Sequence, residues 1–144
     1  MNRVLKDFYA QVIINAPLNR VWRSLVEWER QGDWMALTRV SASDIGADDS
    51  GVGTTIEAFT GIGPFGVLDK MKVVSWEPPQ FCRVDHYGKI IKGIGEFRLV
   101  DLGDQTRFDW YEEIKAPRLV IVLVKPFILI SVNYSLRKFA RTFN

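Results

Sequence analysis

The feature that most limits the fold of this chain is a run of six β-prone segments joined by connections too short for parallel pairing. They cover residues 38–46, 53–60, 67–76, 81–88, 92–101 and 106–115. Between them stand Asp48-Asp49-Ser50-Gly51, the Gly61 to Gly66 loop, Glu77-Pro78-Pro79 and Gly103-Asp104, all rich in residues that tolerate turn geometry. A parallel crossover takes roughly a dozen residues or more, so the run predicts an antiparallel meander. A seventh strand is predicted over residues 7–14, where Phe8, Tyr9, Val12, Ile13 and Ile14 are aromatic or β-branched.

That first strand must stop at Asn15-Ala16-Pro17, because proline lacks an amide hydrogen and fixes φ. Pro17 is expected in the first turn of a helix over residues 17–29, with Leu18, Val21, Trp22 and Leu25 at helical spacing. A break at Gln31-Gly32 and a second short helical turn through Trp34, Met35 and Leu37 are expected to follow. Beyond Pro117, Leu129, Val132, Leu136, Phe139 and Phe143 recur every three or four residues, opposite Arg137, Lys138 and Arg141. This predicts a long amphipathic C-terminal helix whose last-turn cations suit its dipole. Pro126 is expected to kink the helix or to begin it. The apolar stretch from Leu119 to Val132 rises only about 21 Å as a helix, short of the roughly 30 Å of a bilayer core.

Composition limits the function classes. At 144 residues, with 47% hydrophobic and 25% charged, the chain reads as one domain, 1–144, with enough apolar material for a core. A net charge of +2 without long like-charge runs leaves no footprint for nucleic acid. One cysteine, Cys82, forms no internal disulfide, and the opening residues lack the apolar core of a secretory signal, so a cytoplasmic location is expected. One histidine and one cysteine fall short of a zinc site, and neither a metal nor a cofactor is expected.

The Gly61-Ile-Gly63-Pro-Phe-Gly66 spacing matches a dinucleotide fingerprint, but a strand follows where the motif needs a helix N-terminus, so it reads as a hairpin loop. His86 cannot pair with Asp85, because neighbours on a strand point to opposite faces. The acids Glu57, Asp69, Glu112 and Glu113 stand on strands whose partners are mostly apolar, so one or two are candidates to project inward with carboxyls raised by desolvation, while most are expected at the surface. Alternation through Phe108, Trp110 and Glu112 makes Glu112 the best ligand-orienting carboxylate if that face is inward. Cys82 has no activating neighbour in sequence. Aromatic residues make up 12% of the chain, which fits either an aromatic core or the lining of an apolar cavity.

The Ile14-Asn-Ala-Pro-Leu-Asn-Arg-Val-Trp22 helix entry, the Gly51-Val-Gly53-Thr54 turn, Val74-Ser-Trp-Glu-Pro-Pro79 and Ser135-Leu-Arg-Lys-Phe139 lie in an order that resembles the SRPBCC superfamily. The likeness is to its polyketide cyclase/dehydrase and lipid-transport group, and it spans nearly the whole chain. It implies an α+β helix-grip fold: a curved seven-stranded antiparallel sheet around a long C-terminal helix, with two short helices after the first strand. No shared catalytic motif carries over.

Together these readings predict a START-like protein that binds or carries a hydrophobic small molecule, lipid, polyketide or aromatic, between sheet and helix. The expected lining is Trp28, Trp34, Met35, Phe59, Met71, Phe97, Trp110, Phe127 and Ile130, with His86 and Glu112 as polar or catalytic candidates. A cyclase or dehydratase is the second reading. A third is docking to a membrane surface, the ribosome or a second copy through the Leu119 to Ile130 stretch and the basic cluster Arg137, Lys138 and Arg141. The sequence leaves the oligomeric state open.

Overall fold

The computed structural model describes residues 3–43 and 51–144. The expected strand end at 44–46 and the turn residues 48–50 lie outside them. The order is β1 (Arg3–Ile14), α1 (Leu18–Leu25), a 3₁₀ helix (Trp28–Asp33), β2 (Thr38–Ser43), β3 (Thr55–Ile62), β4 (Phe65–Glu77), β5 (Phe81–Tyr87), β6 (Lys92–Asp101), β7 (Thr106–Pro117) and α2 (Arg118–Arg141). The strands form one antiparallel sheet, β1-β7-β6-β5-β4-β3-β2. This is the helix-grip arrangement, with the meander β2 to β7 as expected and β1 closing onto β7.

Local differences from expectation have plain causes. Pro17 stands just outside α1 rather than in its first turn, and its carbonyl accepts the Arg20 and Val21 amides. The helix stops at Leu25 and not near residue 29, and the break falls at Val26-Glu27 rather than at Gln31-Gly32, both of which lie inside the 3₁₀ helix. The buried Gln31 amide donates to the Leu25 carbonyl at 2.9 Å, tying the tighter helix to the end of α1. The glycine-rich loop is a hairpin: Ile62 pairs with Phe65 around Gly63-Pro64, and Gly63 takes the positive φ of 59° that such turns favour. Pro126 lies within α2.

Two apolar clusters hold α2 to the sheet. Leu136 and Phe139 pack with Ile14, Val21, Leu25, Trp34 and Phe108 in the larger one. Near the start of α2, Ile121 packs with Phe8, Ile114 and Ala116. Between them Ser135 fixes the helix, accepting the Ala36 amide at 2.9 Å and donating to the Ser131 carbonyl.

Candidate functional site

Between these clusters, sheet and helix enclose a cavity of about 280 Å³. That is near the lower end of the roughly 300–1,000 Å³ usual for small-molecule sites. Its walls are mostly apolar: Ile56 and Ala58 from β3, Val67 and Met71 from β4, Val84 from β5, Phe97 from β6, Trp110 from β7, and Ile128 and Val132 from α2. Ile90 and Phe127 border the cavity and are also solvent-exposed, so it opens between the β5–β6 loop and α2.

Into this apolar space the sheet brings three titratable side chains that hydrogen-bond to one another. His86 of β5 is hydrogen-bonded on both ring nitrogens, Nδ1 to Asp69 Oδ1 at 2.8 Å and Nε2 to Glu112 Oε2 at 2.7 Å. The Trp110 indole donates to the other Glu112 oxygen at 2.8 Å. The His86 side chain is 3% exposed, whereas Asp69 and Glu112 keep 21% and 15%, so the imidazole stands behind its carboxylates.

Strand register explains how residues so distant in sequence meet. Met71 of β4 lies opposite His86, which puts Asp69 in the diagonal position on the same face. His86 and Glu112 stand on β5 and β7, one strand apart, and the β6 residues facing them are Gly93 and Gly95. Absent side chains there let the two groups reach across β6. A methyl group on Gly95 would lie 2.9 Å from Glu112 Oε1 and 3.0 Å from Oε2. Gly95→Ala is expected to push the Glu112 carboxylate aside, costing about 1–3 kcal/mol as overpacking does. Thermal melting together with a shifted Trp110 emission checks this; an unchanged melting temperature would contradict the packing.

Burial opposes charge on His86, but the Glu112 charge and the hydrogen bonds to Asp69 and Glu112 outweigh it, lifting the imidazole to about 10. Burial also raises Asp69, and the Glu112 charge adds to this, while the hydrogen bond and charge of His86 pull the other way. Cys82 also lines the cavity, where burial pushes its thiol up to about 12; it stays protonated and unreactive.

Of the expected lining residues, Trp28, Met35, Met71, Phe97, Trp110 and Phe127 border the cavity, as do His86 and Glu112. Three lie elsewhere. Trp34 is buried in the core, its ring 4.6 Å from that of Phe139. Phe59 alternates with Ala58 and Thr60, so it faces the opposite side of the sheet, under the Arg39 guanidinium. Ile130 is 72% exposed on the outer face of α2. Asp69 is one of the four acids of which one or two are expected inward, but the sequence reading does not single it out; its alternation with Val67 and Met71 is the signal that places it there. Glu57 is exposed, and Glu113 accepts the Tyr111 hydroxyl on the other face. No group of three or more metal-ligating side chains with metal-site geometry occurs among the described residues.

No protein-family sequence model and no curated protein sequence matches the chain. Solved structures do. A START superfamily protein from Mycobacterium smegmatis superimposes with a TM-score of 0.77 at 12% identity, over 96% of this chain and 99% of that one. An aromatase/cyclase from a Streptomyces species gives 0.74 at 13% identity, over 98% and 97%. Truncated norcoclaurine synthase from Thalictrum flavum gives 0.72 at 15%, over 99% and 95%, and that enzyme has also been solved with dopamine and hydroxybenzaldehyde. Taken with the sheet order and the cavity beneath α2, these superpositions show that the chain has the helix-grip fold of the START and aromatase/cyclase structures.

Proposed function

We propose that this protein binds a small hydrophobic molecule in the cavity beneath α2. The observation that carries the reading is the apolar hollow itself, open between Ile90 and Phe127 while the core on either side is packed. Burying apolar ligand surface contributes about 25 cal/mol per Å². Its size suits a compact ring system or a single short chain. An aromatase/cyclase and a synthase solved with dopamine and hydroxybenzaldehyde are among the fold neighbours, which supports a small-molecule ligand. Ala58→Phe, which fills the hollow from β3, is expected to weaken naphthalene binding about tenfold or more without lowering stability. Calorimetry and the emission of Trp28 and Trp110, which line the site, check it. Unaltered binding in that variant would place the ligand elsewhere.

Cyclase or dehydratase chemistry finds less support in the geometry. His86 is screened by its carboxylates and holds its proton up to about 10, which makes it a poor donor near neutrality.

A second reading, contact with an anionic membrane surface, rests on a separate observation. The first half of α2 turns Leu119, Val122, Leu123 and Ile130 outward, and Phe65 at the β3–β4 tip is 82% exposed. From Ile114 to Asn144 there is no carboxylate side chain, while Lys115, Arg118, Lys125, Arg137, Lys138 and Arg141 supply six cations. Apolar groups set among cations match the interior and the head groups of anionic lipid, and each basic side chain contributes about 1 kcal/mol near such a surface. No helix among the described residues is long and apolar enough to cross a membrane. The protein is expected to co-sediment with phosphatidylglycerol vesicles at low salt but not with phosphatidylcholine, and Leu123→Glu to abolish this. Absence of co-sedimentation, or a dimer that Leu123→Glu dissociates, would refute it.

A further inference from the structure

The polar end of the cavity is built entirely of hydrogen-bond acceptors, and we infer that it selects ligands carrying a donor, a hydroxyl or an amine, and rejects carboxylates. The inference rests on the binding function proposed above and specifies the ligand's head group.

Counting protons is enough to establish the charge. Each of the two bonds from His86 to Asp69 and Glu112 contains one proton, whether it resides on nitrogen or on oxygen. Two carboxylates, the imidazolate ring left when both nitrogen-bound protons are set aside, and those two protons sum to a net charge of −1. Neither proton is directed at the cavity. Glu112 Oε1 is already occupied by the Trp110 indole, while Asp69 Oδ2 has no hydrogen-bond partner among the described residues. Asp69 lines the cavity and keeps part of its surface accessible, so an incoming ligand meets an oxygen lone pair.

The remaining polar walls supply no counterweight. Among the described residues lining the cavity there is no lysine and no arginine. Its hydroxyls turn their hydrogens to protein oxygens: Ser131 to the Ile128 carbonyl, Ser135 to that of Ser131 and Thr38 to that of Ala36. With the Thr38 hydrogen committed, Thr60 is the donor in the 3.0 Å contact between those two. A bound carboxylate beside Asp69 would thus face a like charge in an apolar setting, with no lysine, arginine or uncommitted hydroxyl hydrogen to replace its lost water, whereas a hydroxyl or ammonium group completes the Asp69 acceptor.

The test is a matched series at neutral pH, naphthalene, naphthol, naphthylmethylamine and naphthoate, titrated calorimetrically into the intact protein. Naphthol and the amine are expected to bind tighter than naphthalene, and naphthoate weaker than naphthol by roughly 10- to 100-fold, the range of a hydrogen bond to a charged group. Asp69→Asn, which brings an amide donor to the same place, is expected to narrow the gap between naphthol and naphthoate. Naphthoate binding as well as naphthol, or a gap that Asp69→Asn leaves untouched, overturns the selection while the cavity reading stands. If none of the four binds, the cavity reading itself fails. Should Asp69→Asn not fold, the series on the unmodified protein decides.

Discussion

Replacing His86 with alanine is expected to cost about 3–5 kcal/mol of stability, because it leaves Asp69 and Glu112 as uncompensated charges in an apolar hollow. The matching control removes the charges together. Asp69→Leu with His86→Phe and Glu112→Gln keeps an acceptor for the Trp110 indole and fills the vacated space. Replacing a buried ionic group with apolar residues of similar volume is often neutral or stabilising, so the triple variant is expected to recover most of the loss. Urea denaturation measures both. That contrast separates a cluster retained for what it binds from one retained for folding. A His86→Ala protein within about 1 kcal/mol of the original would mean that water already solvates the carboxylates.

Stability is also expected to fall with rising pH through the alkaline range. Folded His86 holds its proton to about 10, against about 6.5 in the unfolded chain, so between those values the folded state binds more protons. Its contribution is complete below about pH 6.5 and is lost as pH climbs toward 10, by up to about 1.4 kcal/mol per pH unit. The raised Asp69 acts in the same direction at lower pH, its share disappearing as pH rises above the ordinary aspartate range. Urea midpoints at pH 6 and pH 9.5, compared with those of His86→Asn, isolate the histidine. Parallel decline in the two proteins would assign the effect to other groups.

Strand periodicity made much of this architecture readable. The turns between 53 and 115 punctuate strands of one parity, and the pattern through Phe108, Trp110 and Glu112 gives their shared face directly. Register between strands is another matter. Ser75 pairs with Arg83 and Val73 with Val84, so Val74 is an extra residue bulged from β4. Without it, His86 would lie opposite Lys72 rather than Met71, and Asp69 would face away from it. No composition or period reveals such a single-residue insertion, and the cluster is therefore legible only in part: the sequence offers His86, Glu112 and the acid Asp69 separately, without the register that joins them. Phe59, Trp34 and Ile130 are expected in the lining from the distribution of apolar and aromatic residues, and parity or packing places each of them elsewhere. Gly93 and Gly95 carried a usable signal: two bare positions with period two on one strand leave a gap that neighbouring side chains can span.

The pairing of β1 with β7 carries a consequence for biosynthesis. Ile14 is matched to Thr106 and Arg3 to Pro117, so the first strand has no partner until residues 106–117 have left the ribosome. At roughly 5–20 residues per second that wait lasts several seconds, while the intervening hairpins can already form. Nascent chains of this protein should therefore expose a sticky β edge until β7 emerges, and be clients for holding chaperones over that interval.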